Sequence, residues 1–104
     1  MLGFSQGAAL TSLLVGLVPF DFAVMIGGFR SDSPMHADIY GTNYELPSLH
    51  IMGRNDVVVP IEDSRVLARQ FSCPIVLEHG GGHVVPSDPE VRVGFERFLA
   101  ERQL

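Results

Sequence analysis

Apolar positions follow two rhythms along this 104-residue chain, one suited to helices and one to buried strands. Ala8, Ala9, Leu10, Leu13, Leu14 and Leu17 form a stretch apolar on nearly every side, the pattern of a helix packed on a sheet within an enclosed core. Gly16 and Pro19 end it. Phe22 to Ile26 is a continuous apolar run before Gly27-Gly28, as in a parallel strand covered on both faces. Leu46 to Met52 reads as a second strand and Pro74 to Leu77 as a third. Between them, Pro60 opens a helix through Phe71 that turns Ile61, Leu67, Ala68 and Phe71 inward and Glu62, Asp63, Arg65 and Arg69 outward. The last helix starts at Ser87-Asp88-Pro89-Glu90, where Ser87 and Glu90 have capping-box spacing, and buries Val91, Phe95, Phe98 and Leu99. Alternation of this kind predicts an α/β fold, a parallel sheet with helices on both faces, in a single domain over residues 1–104. Arg30 to Glu45 is too long for a simple connector and is rich in Ser, Pro, His and Tyr, which predicts a binding loop or lid, or plain disorder.

Charge and composition exclude several classes. A net charge of −5 with no basic cluster argues against a nucleic-acid partner, since phosphate binding needs concentrated Lys and Arg. Cys73 stands alone, so no intrachain disulfide can form, and no close Cys or His pair has structural zinc spacing. The run Ala8 to Phe20 is too short for a membrane span and lacks the basic start of a signal peptide. The expectation is a soluble cytoplasmic protein with no membrane association.

Chemistry enters at Gly3-Phe4-Ser5-Gln6-Gly7, a G-x-S-x-G pentapeptide opening the first helical run. In a nucleophile elbow the serine sits on a strained strand-to-helix turn, and glycines on either side let the backbone pass closely. Only Met1 and Leu2 precede the motif, too few for a strand of ordinary length, so the front half of such a fold is expected to be missing. The alternative makes Ser5 a helix N-cap. Two further residues follow strand ends, where the ligand crevice of an open α/β sheet lies: Asp56 after the second strand and His83 after the third. The order Ser5, Asp56, His83 is that of the α/β-hydrolase triad. Asp56 has a second reading as the cap of the turn before Pro60. His50, in an apolar strand, reads as a core histidine, and His79 as structural. Gly80-Gly81-Gly82 reads as a turn carrying His83, not a phosphate cradle, for no Lys-Ser or Lys-Thr follows it. Asp38 and Asp63 are weaker acid candidates, His36 has no assigned role, and Cys73 reads as an inert, partly buried thiol.

The blocks Gly3-Phe4-Ser5-Gln6-Gly7-Ala8-Ala9, His50-Ile51-Met52-Gly53-Arg54-Asn55-Asp56-Val57-Val58-Val59-Pro60 and His79-Gly80-Gly81-Gly82-His83-Val84-Val85-Pro86 make the chain resemble, from end to end, the serine hydrolases of the FSH type, α/β-hydrolases that include fungal esterases and thioesterases. The resemblance implies Ser5 as nucleophile, His83 as general base and then acid, Asp56 as the group orienting the imidazole, and the Gln6 backbone N–H as one oxyanion donor. It implies no metal and no organic cofactor. The family's early strands, and the loop that gives the second oxyanion donor, have no counterpart, so the chain resembles the C-terminal half.

Two readings follow. One is a serine hydrolase of esters or thioesters acting through an acyl-enzyme on Ser5; the other is a catalytically incomplete pseudo-hydrolase serving as a binding or assembly partner. A third, a flavodoxin-like binding domain, is disfavoured by the lack of a phosphate loop. Phe29, Val57, Val58 and Val84, with Met35, Tyr40, Tyr44 and Val85, are the apolar candidates for substrate contact. Loss of an oxyanion donor costs about 10² to 10³ in turnover, so weak or no activity is expected of the chain alone. The run Phe22 to Ile26 is expected to leave an open apolar edge and to drive homodimer formation or pairing with the missing N-terminal half.

Overall fold

The computed structural model describes residues 1–37, 40 and 43–102. Four strands, β1 (Leu2–Phe4), β2 (Ala23–Ile26), β3 (Ser48–Gly53) and β4 (Pro74–His79), form one parallel sheet in that order. Three helices, α1 (Gln6–Leu14), α2 (Ile61–Ala68) and α3 (Pro89–Arg102), connect or follow them, and a short 3-10 turn spans Pro34–His36.

Successive residues of β2 and β3 point to opposite faces, and each face has its own core. Val24, Ile26, Leu49 and Ile51 pack with Val91 and Phe98 of α3. Ala23 and Met25 pack with Ala8 of α1, Leu67 of α2 and Phe71. Two helices therefore cover one face and a single helix the other. A helix is about 10 Å across, whereas four strands about 4.8 Å apart make a wider sheet. The uncovered part of the α3 face is a cavity of about 370 Å³ bordered by Leu2, Phe4, Ile26, Ile51, Val85, Val91 and Phe95.

Several expectations need correction. Met1 and Leu2 do not stand alone: the motif's own Gly3 and Phe4 extend the chain into β1, whose Leu2, Gly3 and Phe4 pair with Val24, Met25 and Ile26. The edge of β2 is thereby covered, and the edge strands among the described residues are β1 and β4. Nor is α1 enclosed. Its buried residues are Ala8, Ala9, Thr11 and Ser12, while Leu10 is 53% exposed and Leu17, in the turn beyond it, 62%. Small side chains let the helix lie close to the sheet, and the Thr11 and Ser12 hydroxyls are satisfied by the carbonyls of Gly7 and Ala9. The capping-box bonds at Ser87 and Glu90 are not formed; Pro89 opens α3 and Ser87 lines the cavity beside it. Cys73 is exposed. Asp38 lies outside the described residues. Among these, no helix is long and apolar enough to cross a membrane.

Candidate active site

Each strand ladder continues one step past its strand, so three loops leave the same end of the sheet. Ser5 N–H donates to the Ile26 carbonyl (2.9 Å), Gly27 N–H to Ile51 (2.8 Å) and Arg54 N–H to His79 (2.8 Å). Ser5, between β1 and α1, has φ 56° and ψ −116°, a left-handed conformation unusual for a residue with a side chain. Such strain costs on the order of 1–3 kcal/mol and persists only where packing over-determines it. Here Gly3 allows the packing: a Cβ there would sit 2.3 Å from the Gly7 carbonyl oxygen and 2.6 Å from Thr11 Oγ1. Gly7 needs no such relief, for a Cβ there would meet nothing within 4 Å. Ser5 does hold the N-cap position, but its hydroxyl makes no capping bond. It lies 2.8 Å from His83 Nε2 instead.

His83 Nδ1 lies 2.7 Å from Asp56 Oδ2, and the two side chains are 15% and 2% exposed. The other carboxylate oxygen, Oδ1, accepts the N–H groups of Val58 (2.9 Å) and Val59 (2.8 Å). Both sequence readings of Asp56 thus hold at once: one oxygen caps the turn and the other faces the imidazole. Burial acts to raise the Asp56 pKa, but the Val59 N–H, the His83 imidazole and the Val58 N–H outweigh it, and the carboxyl titrates below the ordinary aspartate value. An ionised Oδ2 fixes the tautomer in which Nδ1 carries the proton, leaving Nε2 to accept from Ser5. The imidazole lies against the bare backbone of Gly27, where a Cβ would be 3.2 Å from its Cε1, and beside the Phe4 ring, at 5.0 Å between centroids.

Gln6 is the first residue of α1, so its N–H is among the amides that no earlier turn satisfies, at the positive end of the helix dipole. Phe29 lines a second cavity, of about 510 Å³, with Arg30, Ser31, Ala37, Asp63 and Val66. Val57, Val58 and Val84 are exposed and line neither cavity. Tyr44 is elsewhere: it bridges Phe71 ahead of β3 and β4, at the end of the sheet opposite Ser5. Tyr40 bonds through its hydroxyl to Ser12 and to the Ser31 N–H, and His36 Nδ1 contacts Ser31 Oγ. His50 is buried against Phe71 and bonded to Ser48, and burial lowers its pKa to about 4. His79 is buried, with Nδ1 accepting the Gly81 N–H. No group of three or more potential metal-binding side chains occurs among the described residues. Sequence reasoning assigned no role to Phe4, Gly27 or Asn55. The first two carry no spacing signal, and Asn55 was visible only as a neighbour of Asp56.

Residues 1–94 match the family described as serine hydrolase (FSH1). The chain belongs to this family. It is 40% identical over 109 residues to an esterase of Aedes aegypti, an alignment that takes in 98% of this chain and 40% of that protein. The chain thus spans less than half the length of that relative. Among solved structures, the esterase domain of a Rhodothermus marinus protein is similar with a TM-score of 0.74 and 18% identity, covering 98% of this chain and 58% of the other. The Zea mays acyl-protein thioesterase 2 is similar with a TM-score of 0.70 and 21% identity, covering 97% and 54%. At those identities the likeness concerns the fold, an α/β-hydrolase one.

Proposed function

We propose that this family member cleaves carboxylic esters or thioesters through an acyl-enzyme on Ser5. The observation that carries the reading is the unbroken chain Ser5 Oγ, His83 Nε2, His83 Nδ1, Asp56 Oδ2, with both links under 3 Å. Ser5 Oγ attacks the carbonyl carbon as its proton passes to His83 Nε2, and the carbonyl oxygen becomes an oxyanion facing the Gln6 N–H. Collapse expels the alcohol or thiol, which takes the proton back from Nε2. Water, deprotonated by the same nitrogen, then releases the acid and frees Ser5. Asp56 remains ionised and stabilises the imidazolium between these transfers. The esterase and thioesterase names of the relatives support an acyl substrate. Phe29 and its cavity are the acyl or leaving-group wall in this reading, and Val57, Val58 and Val84, outside that cavity, offer exposed apolar contacts on the loops that carry Asp56 and His83.

The test is a fluorophosphonate probe read by intact mass, with Ser5→Ala as control. A single adduct absent from the control supports the reading; no adduct on a folded chain overturns it in favour of an incomplete hydrolase that binds or assembles. That second reading draws on the open β1 edge and on Leu2, which is 55% exposed beside the apolar cavity. It expects a homodimer, or pairing with a segment like the rest of the longer relatives, and a clean monomer by light scattering at micromolar concentration counts against it.

A further inference from the structure

The loop carrying His83 begins with Gly80-Gly81-Gly82, and none of the three has a positive φ. At Gly80 and Gly82 a Cβ would meet only ordinary contacts at 3.5 Å, from Arg54 Nη2 and the Asn55 carbonyl. Glycine is not required there by space or by dihedral angle, and a run of three leaves the loop with high backbone freedom. His83 nevertheless needs a fixed position to meet Ser5 and Asp56 together. Side chains and amides outside the run supply it. Asn55 Nδ2 donates to the Gly80 carbonyl at 2.7 Å, Asn55 N–H to the Gly81 carbonyl at 3.1 Å, and the Gly81 N–H is held by His79 Nδ1 at 3.1 Å. Of these groups, Asn55 alone belongs to the loop that also carries Asp56, its next residue.

We infer that Asn55 is a positioning residue: its carboxamide ties the two loops together and sets the distance between Asp56 and His83. It touches no substrate and acts only through His83. The inference rests on the reading of Ser5, His83 and Asp56 as the acyl-transfer centre. Removing the Nδ2 donor frees Gly80, and the imidazole then samples positions out of line with Oδ2 and Ser5 Oγ. Misplacement of a catalytic group by about 1 Å costs on the order of 10² in rate.

The experiment compares the full chain with Asn55→Ala and Asn55→Gln by two readouts. The first is the low-field proton resonance of His83 Nδ1–H, which reports the bond to Asp56 without any turnover. The second is the second-order rate of fluorophosphonate labelling across pH. In Asn55→Ala the resonance should broaden or exchange faster, and labelling should slow about tenfold to a hundredfold with the melting temperature nearly unchanged. Asn55→Gln, which keeps a donor, should recover part of both. A wild-type resonance and rate in Asn55→Ala overturn the inference, as does an unfolded Asn55→Ala, which would make the bond one of general stability. A wild-type chain that shows the resonance but never labels refutes the catalytic reading alone, and the effect of Asn55 on the Asp56–His83 pair is still read from the resonance.

Discussion

Ser5 and the Asp56–His83 pair are held by different physics. Ser5 leaves a three-residue edge strand, and its position comes from close backbone packing and a strained dihedral. Asp56 and His83 leave six-residue strands, and hydrogen bonds between their loops set their positions. Steric constraint tolerates no added atom but is indifferent to pH. Hydrogen-bonded constraint tolerates small changes of shape but depends on which groups are ionised. The two halves of the site should therefore fail in different ways.

The largest effect expected is chemical. Asp56→Asn keeps the shape of the side chain but loses the charge that fixes the His83 tautomer, and labelling of Ser5 should fall by about 10⁴-fold in a folded protein. A loss smaller than tenfold would mean that hydrogen-bonded constraint is dispensable. Next comes Gly3→Ala, whose Cβ would lie 2.3 Å from the Gly7 oxygen. Something must shift, and a loss of about 3 kcal/mol or more by urea denaturation is expected. Gly7→Ala, with no atom within 4 Å of its Cβ, should be neutral or slightly stabilising in the same assay. Equal losses in the two variants would break the steric account of the elbow.

His50 sharpens the contrast from below the loops of Asp56 and His83. Its folded pKa of about 4 lies under the unfolded value of 6.5, so the unfolded chain takes up the proton first on acidification. The stability tied to neutral His50 is complete above pH 6.5 and lost as pH falls toward 4. Between pH 7 and pH 5 the loss should be about 2 kcal/mol, at roughly 1.4 kcal/mol per unit. Denaturation at the two pH values should show it, and His50→Met should flatten the difference. Asp56 titrates in the same direction but lower: its contribution holds above the ordinary aspartate range and fades only below it. The smallest change in stability is at Ser5 itself. Ser5→Gly relieves the dihedral strain and should stabilise the fold by about 1 kcal/mol while abolishing labelling. No gain in melting temperature would mean that the φ of 56° is not strained in this setting.

Much of this architecture was legible along the chain. Strand and helix order follows from periodicity, because a buried parallel strand must be apolar on both faces and a covering helix on one. The run before Gly27 and the pattern of Val91 and Phe98 announced β2 and α3 in this way. Errors came where a local pattern allowed two outcomes. Six apolar positions around α1 looked enclosed, yet its sheet-facing side is built from Ala8, Ala9, Thr11 and Ser12, since close approach favours small residues over large ones. Ser87 and Glu90 had the spacing of a cap, yet spacing does not say where a chain enters a helix.

The sequence by itself determined the element order from the first helix onward, the parallel sheet and the placement of Asp56 and His83 after strands, all consequences of local periodicity and of the strand-end rule. Only the tertiary structure decided that Leu2–Phe4 has enough partners to form a strand, that Gly3 rather than Gly7 permits the elbow, and that Asn55 reaches Gly80 from 25 residues away. Those depend on distances between segments remote in sequence, which packing sets and no local pattern records.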